Sequence, residues 1–143
     1  MSRDFKKCLE KKSLYRSEDA KGLSKNELVS AGDDLEEARL SLSGRRFKWA
    51  TIQAYYSMFH AARALLYSRG YRERSHYCVM VGIEHLFAEE GLLDMKWARA
   101  LRNAMSMRED ADYSSEFSED GAKTTVKNAD GFLKEAKRII EGG

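Results

Sequence analysis

The chain has 143 residues, enough for one compact core and too few for two comfortable ones. Its 25 basic and 23 acidic residues nearly cancel, to a formal net charge of +2, which excludes a polycation built for nucleic acid and confines any such role to a local patch. The absence of proline and the abundance of Lys, Glu, Arg, Ala and Leu favour helix over sheet, because these side chains lose little freedom in a helical turn.

Residues 1–23 show apolar anchors at Phe5, Leu9 and Tyr15 without a clean period, and are expected to form an N-terminal extension with a short or mobile helix. The compact unit is expected over 24–143. Ser24-Lys25-Asn26-Glu27 matches a capping box and predicts a helix start, after which Leu28, Ala31, Leu35, Ala38 and Leu42 recur in steps of three and four. Gly44 is placed to end that helix in a left-handed cap. A second, more apolar helix runs from about Arg46 to Gly70, with Ile52, Tyr55, Phe59, Ala62 and Leu66 on its core stripe. Ser75 and Asp94 are placed to cap two further helices, the first closed by Gly91. The charged stretch Glu109–Tyr113 reads as a connection, and Ser118 opens a last helix with Ala122, Val126, Ala129, Leu133, Ala136 and Ile140 on a seven-residue repeat. Nothing reads as a strand. The fold class is therefore all-α: an antiparallel up-and-down bundle of four long helices plus a short N-terminal helix.

Two groups of side chains ask for more than a packing role. Tyr56, His60, Arg63 and Tyr67 form a polar row beside the apolar stripe of the second helix. Such a row is either tethered at a helix–helix or dimer interface or holds a phosphate or nucleotide. Further on, Arg102, Asn103 and Arg108 run into Asp110, Asp112 and Tyr113. The carboxylates there either pair with the arginines or leave Arg102 and Arg108 to neutralise an RNA or nucleotide phosphate, with Asn103 and Tyr113 orienting it.

Other chemistry is poorly served by the sequence. His60, His76 and His85 have no shared metal-ligand spacing, Asp110-x-Asp112 is a weak magnesium signal, and Cys8 and Cys78 suggest neither a zinc site nor a disulfide scaffold. No metal or cofactor is expected. No run approaches the roughly 20 apolar residues that cross a bilayer, and Ser2-Arg3-Asp4 leads into no signal-peptide core, so a soluble protein of the reducing cytoplasm is expected, without a membrane partner.

The run Ala54-Tyr55-Tyr56-Ser57-Met58-Phe59-His60-Ala61-Ala62-Arg63, then Ser75-His76, Gly91-Leu92-Leu93-Asp94 and Arg108-Glu109-Asp110-Ala111-Asp112-Tyr113, resembles the HEPN family, in particular its small stand-alone archaeal and bacterial members. The resemblance extends from about Leu9 to Ile140. It implies an up-and-down helical bundle that commonly forms homodimers, is often encoded beside a minimal nucleotidyltransferase as a toxin–antitoxin pair, and is often a metal-independent RNase. In that family the activity needs an Arg followed, four to six residues later, by a His. Here Arg102-Asn103 matches the start of the pattern, but no His follows His85. The expectation is a module that dimerises and binds a protein partner or a nucleotide, leaning away from enzymatic activity. The alternative is an RNase toxin with an atypical site built from Arg102, Arg108 and Tyr113, with His60 supplied from the central helix.

Overall fold

The computed structural model describes residues 2–142. Four long helices carry the fold: α2 (Ser24–Ser43), α3 (Phe47–Ser68), α5 (Met95–Tyr113) and α6 (Glu119–Gly142), with two shorter helices, α1 (Arg3–Glu10) and α4 (His76–Ile83). The all-α class and the bundle follow from the sequence as expected. Helix α3 is the central element and packs against α2, α5 and α6. The reason lies in its composition: Ala54, Ala61, Ala62 and Ala64 are fully buried and let neighbouring backbones approach, while Tyr55, Met58, Leu65 and Leu66 fill the space between them. Each such large apolar side chain contributes about 1.5–3 kcal/mol when withdrawn from water.

Helix α6 buries its whole expected repeat through Ala136, together with Phe132. Its first turn is capped by Ser118, whose Oγ accepts from the Gly121 amide at 2.9 Å. Ser75 and Asp94 cap α4 and α5 as expected, accepting from Cys78 and Lys96 amides at 3.3 and 2.9 Å.

Four local expectations are corrected. The Ser24–Glu27 box does not cap α2. Ser24 is instead buried and its hydroxyl donates to the Ala64 carbonyl of α3 at 2.8 Å, while Glu27 turns to His60 of α3. Ser57 makes the reciprocal link, donating to Ala31 of α2 at 2.7 Å. Both hydroxyls stitch α2 to α3, and that tertiary use outcompetes the local cap. Ser24→Ala is therefore expected to destabilise by about 1 kcal/mol without loss of α2, read as a shift in the urea midpoint at unchanged helical signal. At the α2–α3 turn, Gly44 stays at φ −81°, and the left-handed position falls on Arg45 at φ 61°. The stretch Glu109–Tyr113 continues α5, because Ala111 is fully buried.

The fourth correction concerns the expected absence of strands and of a disulfide. Two strands of three residues, β1 (Leu14–Arg16) and β2 (Tyr71–Glu73), pair antiparallel with Leu14 opposite Glu73. They are too short to impose an alternating pattern on the sequence. Helix α1 lies against α4, with Phe5 buried and stacked on His85 at 4.2 Å between ring centroids. Cys8 and Cys78, which the spacing did not connect, are joined as a disulfide across the same contact. No helix among the described residues is long and apolar enough to cross a membrane.

After Ile83, α4 passes into a π-helical turn (Glu84–Ala88), and Gly91 at φ 76° lies in the turn that follows. The wider turn is held by Arg102 of α5, which grips Glu84 with two hydrogen bonds of 2.8 and 2.5 Å.

Candidate functional site

Helix α3 presents Tyr55 toward the end of the bundle where α4 begins and α5 ends. Tyr55 sits on the apolar stripe and its ring is 1 % exposed, but its hydroxyl needs a partner, and it finds one in His76 Nδ1 at 2.9 Å. His76 is the first residue of α4 and its ring stacks on Phe59 at 4.0 Å between centroids. From the opposite side, the guanidinium of Arg108 on α5 lies 5.0 Å over the Tyr55 ring and 5.6 Å over that of Tyr56. Three helices thus bring Arg108, Tyr55, Tyr56 and His76 into one cluster.

The electrostatics of this cluster are distinctive. Burial pushes the Tyr55 phenol up to about 12, with Arg108 opposing, so it remains a neutral hydroxyl. Burial, and then the charge of Arg108, hold the His76 imidazole below its ordinary value, which makes it neutral at pH 7. Arg108 itself is buried at 9 % exposure, yet its Nε has no hydrogen-bond partner. Its nearest carboxylate is Asp112 at 3.9 Å, on a side chain 43 % exposed.

Comparison with the other half-buried arginines of α3 and α5 shows why this matters. Arg102 is fully engaged by Glu84. Arg63 lies 3.4 Å from both Glu27 and Glu73 and donates to the Tyr67 hydroxyl at 2.6 Å. Both are compensated cations with structural roles. Arg108 is a buried charge whose compensation is incomplete, the condition under which an anion from outside is bound favourably.

The polar row of α3 is divided by these contacts. Tyr56 belongs to the Arg108 cluster. His60 is turned to α2, with Nδ1 2.5 Å from Glu27 and Nε2 3.6 Å from Asp34, and Arg63 and Tyr67 are tied to Glu73 of β2. Of the second group of sequence candidates, Arg102 and Arg108 share no partner and face different neighbours. Asn103 lines a shallow groove between α5 and α6 with Ala100, Ala104, Thr125 and Asn128. Asp110 borders a separate depression with Thr51, Glu116 and Phe117, and Tyr113 projects into solvent at 78 % exposure. Sequence reasoning missed Tyr55 and His76 as polar members of the site. A tyrosine where a phenylalanine would fill the stripe equally well was the available signal for the first.

Among the described residues no cluster of His, Cys, Asp and Glu is arranged to hold a metal ion. What the site offers is a guanidinium for a phosphate, two phenol rings beside it, and a neutral imidazole one hydrogen bond away.

An all-α bundle with a polar cluster at the junction of its central helices is the class of protein that fold and site define. The HEPN domain model matches residues 26–141, and the chain belongs to that family. A UPF0332 protein of Thermotoga maritima is 27 % identical over 113 residues, covering 78 % of this chain and 86 % of the relative. A protein of Methanocaldococcus jannaschii named "Putative toxin MJ0605" is 25 % identical over 111 residues, covering 78 % of each chain. A UPF0332 protein of Archaeoglobus fulgidus is 36 % identical over 89 residues, 61 % of this chain and 70 % of the relative.

Proposed function

We propose that this HEPN module binds a phosphate group of RNA or of a nucleotide at Arg108, as one half of a nucleotidyltransferase–HEPN toxin–antitoxin pair. The observation that carries the reading is the buried, incompletely compensated Arg108 guanidinium with an unpartnered Nε. The relative from M. jannaschii, which carries the name "Putative toxin MJ0605", supports the toxin half of that reading. The rings of Tyr55 and Tyr56 give the site an apolar wall beside the charge, suited to a sugar or base attached to the phosphate. The module acts as a homodimer. Of the two faces open to a dimer contact, the α3 row and α5, the engagement of His60 and Arg63 within the chain by Glu27 and Glu73 favours α5. Fluorescence anisotropy with a labelled single-stranded oligoribonucleotide tests the binding. Saturable binding that weakens with salt is expected, and its absence at high micromolar protein would sink the proposal.

A second reading, metal-independent RNA cleavage, is favoured by one specific observation. His76, neutral and hydrogen-bonded to Tyr55, supplies from α4 the imidazole that the sequence lacks after Arg102. It would take the proton from a 2′-hydroxyl, whose oxygen attacks the phosphorus held by Arg108, and return it as imidazolium to the leaving 5′-oxygen, with a 2′,3′-cyclic phosphate and a free 5′-hydroxyl as products. Cleavage of a fluorophore–quencher RNA in EDTA is then expected, abolished by His76→Ala with binding retained. Equal cleavage by parent and variant would assign the activity to a contaminant.

A further inference from the structure

We propose that the Cys8–Cys78 disulfide is a thiol-exchange site for small anionic thiols, entered through the groove between α1 and α4. The two cysteines, 3 % and 5 % exposed, line a cavity of about 330 Å³ together with Asp4, Lys7, Lys11, Ser13, Ser75 and Tyr77. Two lysines against one aspartate give its mouth a net positive charge, which draws in an anionic thiol and favours its thiolate form. The sulfurs are not equivalent. Cys78 lies in the first turn of α4, where the aligned amides favour negative charge, whereas Cys8 lies near the C-terminal end of α1. An incoming thiolate therefore attacks the Cys8 Sγ and Cys78 departs as the stabilised thiolate, because the better-stabilised sulfur leaves faster. A second small thiolate then attacks the small-molecule sulfur of the mixed disulfide, and Cys8 leaves as its thiolate. The products are two protein thiols and one oxidised small-molecule disulfide, so the two electrons that open the protein bond come from the two incoming thiols.

The bond can open without loss of the fold. The disulfide closes a span of 70 residues, but α1 is held independently by the stack of Phe5 on His85 and by the pairing of β1 with β2 that follows it. The inference stands apart from the Arg108 reading, since it is tested on sulfur alone. The oxidised protein is treated with millimolar glutathione, its thiols are alkylated and counted by intact mass, and its helicity is followed by circular dichroism. Two thiols are expected to appear with helicity unchanged. The variant Lys7→Gln/Lys11→Gln is expected to react about threefold to tenfold more slowly with glutathione, and to lose clearly less with 2-mercaptoethanol, whose thiolate carries no further charge. A bond that opens only when the protein unfolds overturns the proposal, as does an equal effect of the double substitution on both thiols.

Discussion

Arg108→Ala is expected to weaken binding of a labelled oligoribonucleotide or nucleotide by about 10- to 100-fold while leaving the fold intact. The magnitude is that of one hydrogen-bonded charge pair, about 1.5–3 kcal/mol, converted at about 1.4 kcal/mol per tenfold. The fold survives because Arg108 has no close ion-pair partner to orphan: Asp112 is 3.9 Å away and already faces water. Removing a buried, poorly compensated charge is close to neutral for stability, or slightly favourable. Arg102→Ala is expected to behave in the opposite way. It releases Glu84 and the π-helical turn, lowers the unfolding midpoint, and leaves ligand affinity near that of the parent. Parallel titrations and urea melts of the two variants separate these outcomes. Equal loss of affinity in both would remove the distinction drawn between a compensated and an uncompensated arginine.

Glu27→Ala is expected to be among the most destabilising single surface-polar substitutions, by about 2–4 kcal/mol. Glu27 is 15 % exposed and serves two partners, the His60 imidazole at 2.5 Å and the Arg63 guanidinium at 3.4 Å, so its removal leaves both short of a partner between α2 and α3. Partial exposure of His60 and Arg63, at 24 % and 21 %, places the estimate below the full penalty of a completely buried pair. Glu36→Ala is the matched comparison. Glu36 also carries an ion pair, with Arg39 at 2.8 Å, but is 69 % exposed, and its loss is expected to change the urea midpoint little. If the two variants unfold at the same denaturant concentration, the network around Glu27 holds nothing together.

The helical framework was legible because its apolar positions repeat with a period that solvent imposes on any amphipathic helix. Ile52, Tyr55, Phe59, Ala62 and Leu66 all proved buried on α3, and Ser75 and Asp94 cap the helices they were expected to open. Failures arose where one residue satisfied two rules at once. Ser24 and Glu27 fit a local capping box and also face α3, and the tertiary partners won. Cys8 and Cys78 are 70 residues apart in sequence, and no local pattern reports that α1 lies against α4.

The site was half visible for the same reason. Arg108 stood out by its charge beside Asp110 and Asp112, and Tyr56 by its place in the polar row. His76 did not, because its meaning depends on which helix starts beside which. A search for a histidine four to six residues after an arginine is a search along one helix. Here the arginine and the histidine come from α5 and α4 and meet at Tyr55 of α3, the first over its ring and the second at its hydroxyl. Arg102, Asn103 and Tyr113 are near Arg108 in sequence, but helical geometry sends them to the Glu84 turn, the α5–α6 groove and open solvent.

The central claim is that Arg108 is the group that meets the phosphate. Titration of the ¹⁵N-labelled protein with a short single-stranded oligoribonucleotide, observed through the arginine Nε–H resonances, tests it directly. The Arg108 Nε–H signal is expected to move strongly and saturate as its unpartnered donor gains an acceptor, while the Arg102 signal, already bonded to Glu84, stays in place. An Arg108 resonance that does not move while the oligoribonucleotide binds elsewhere would contradict it.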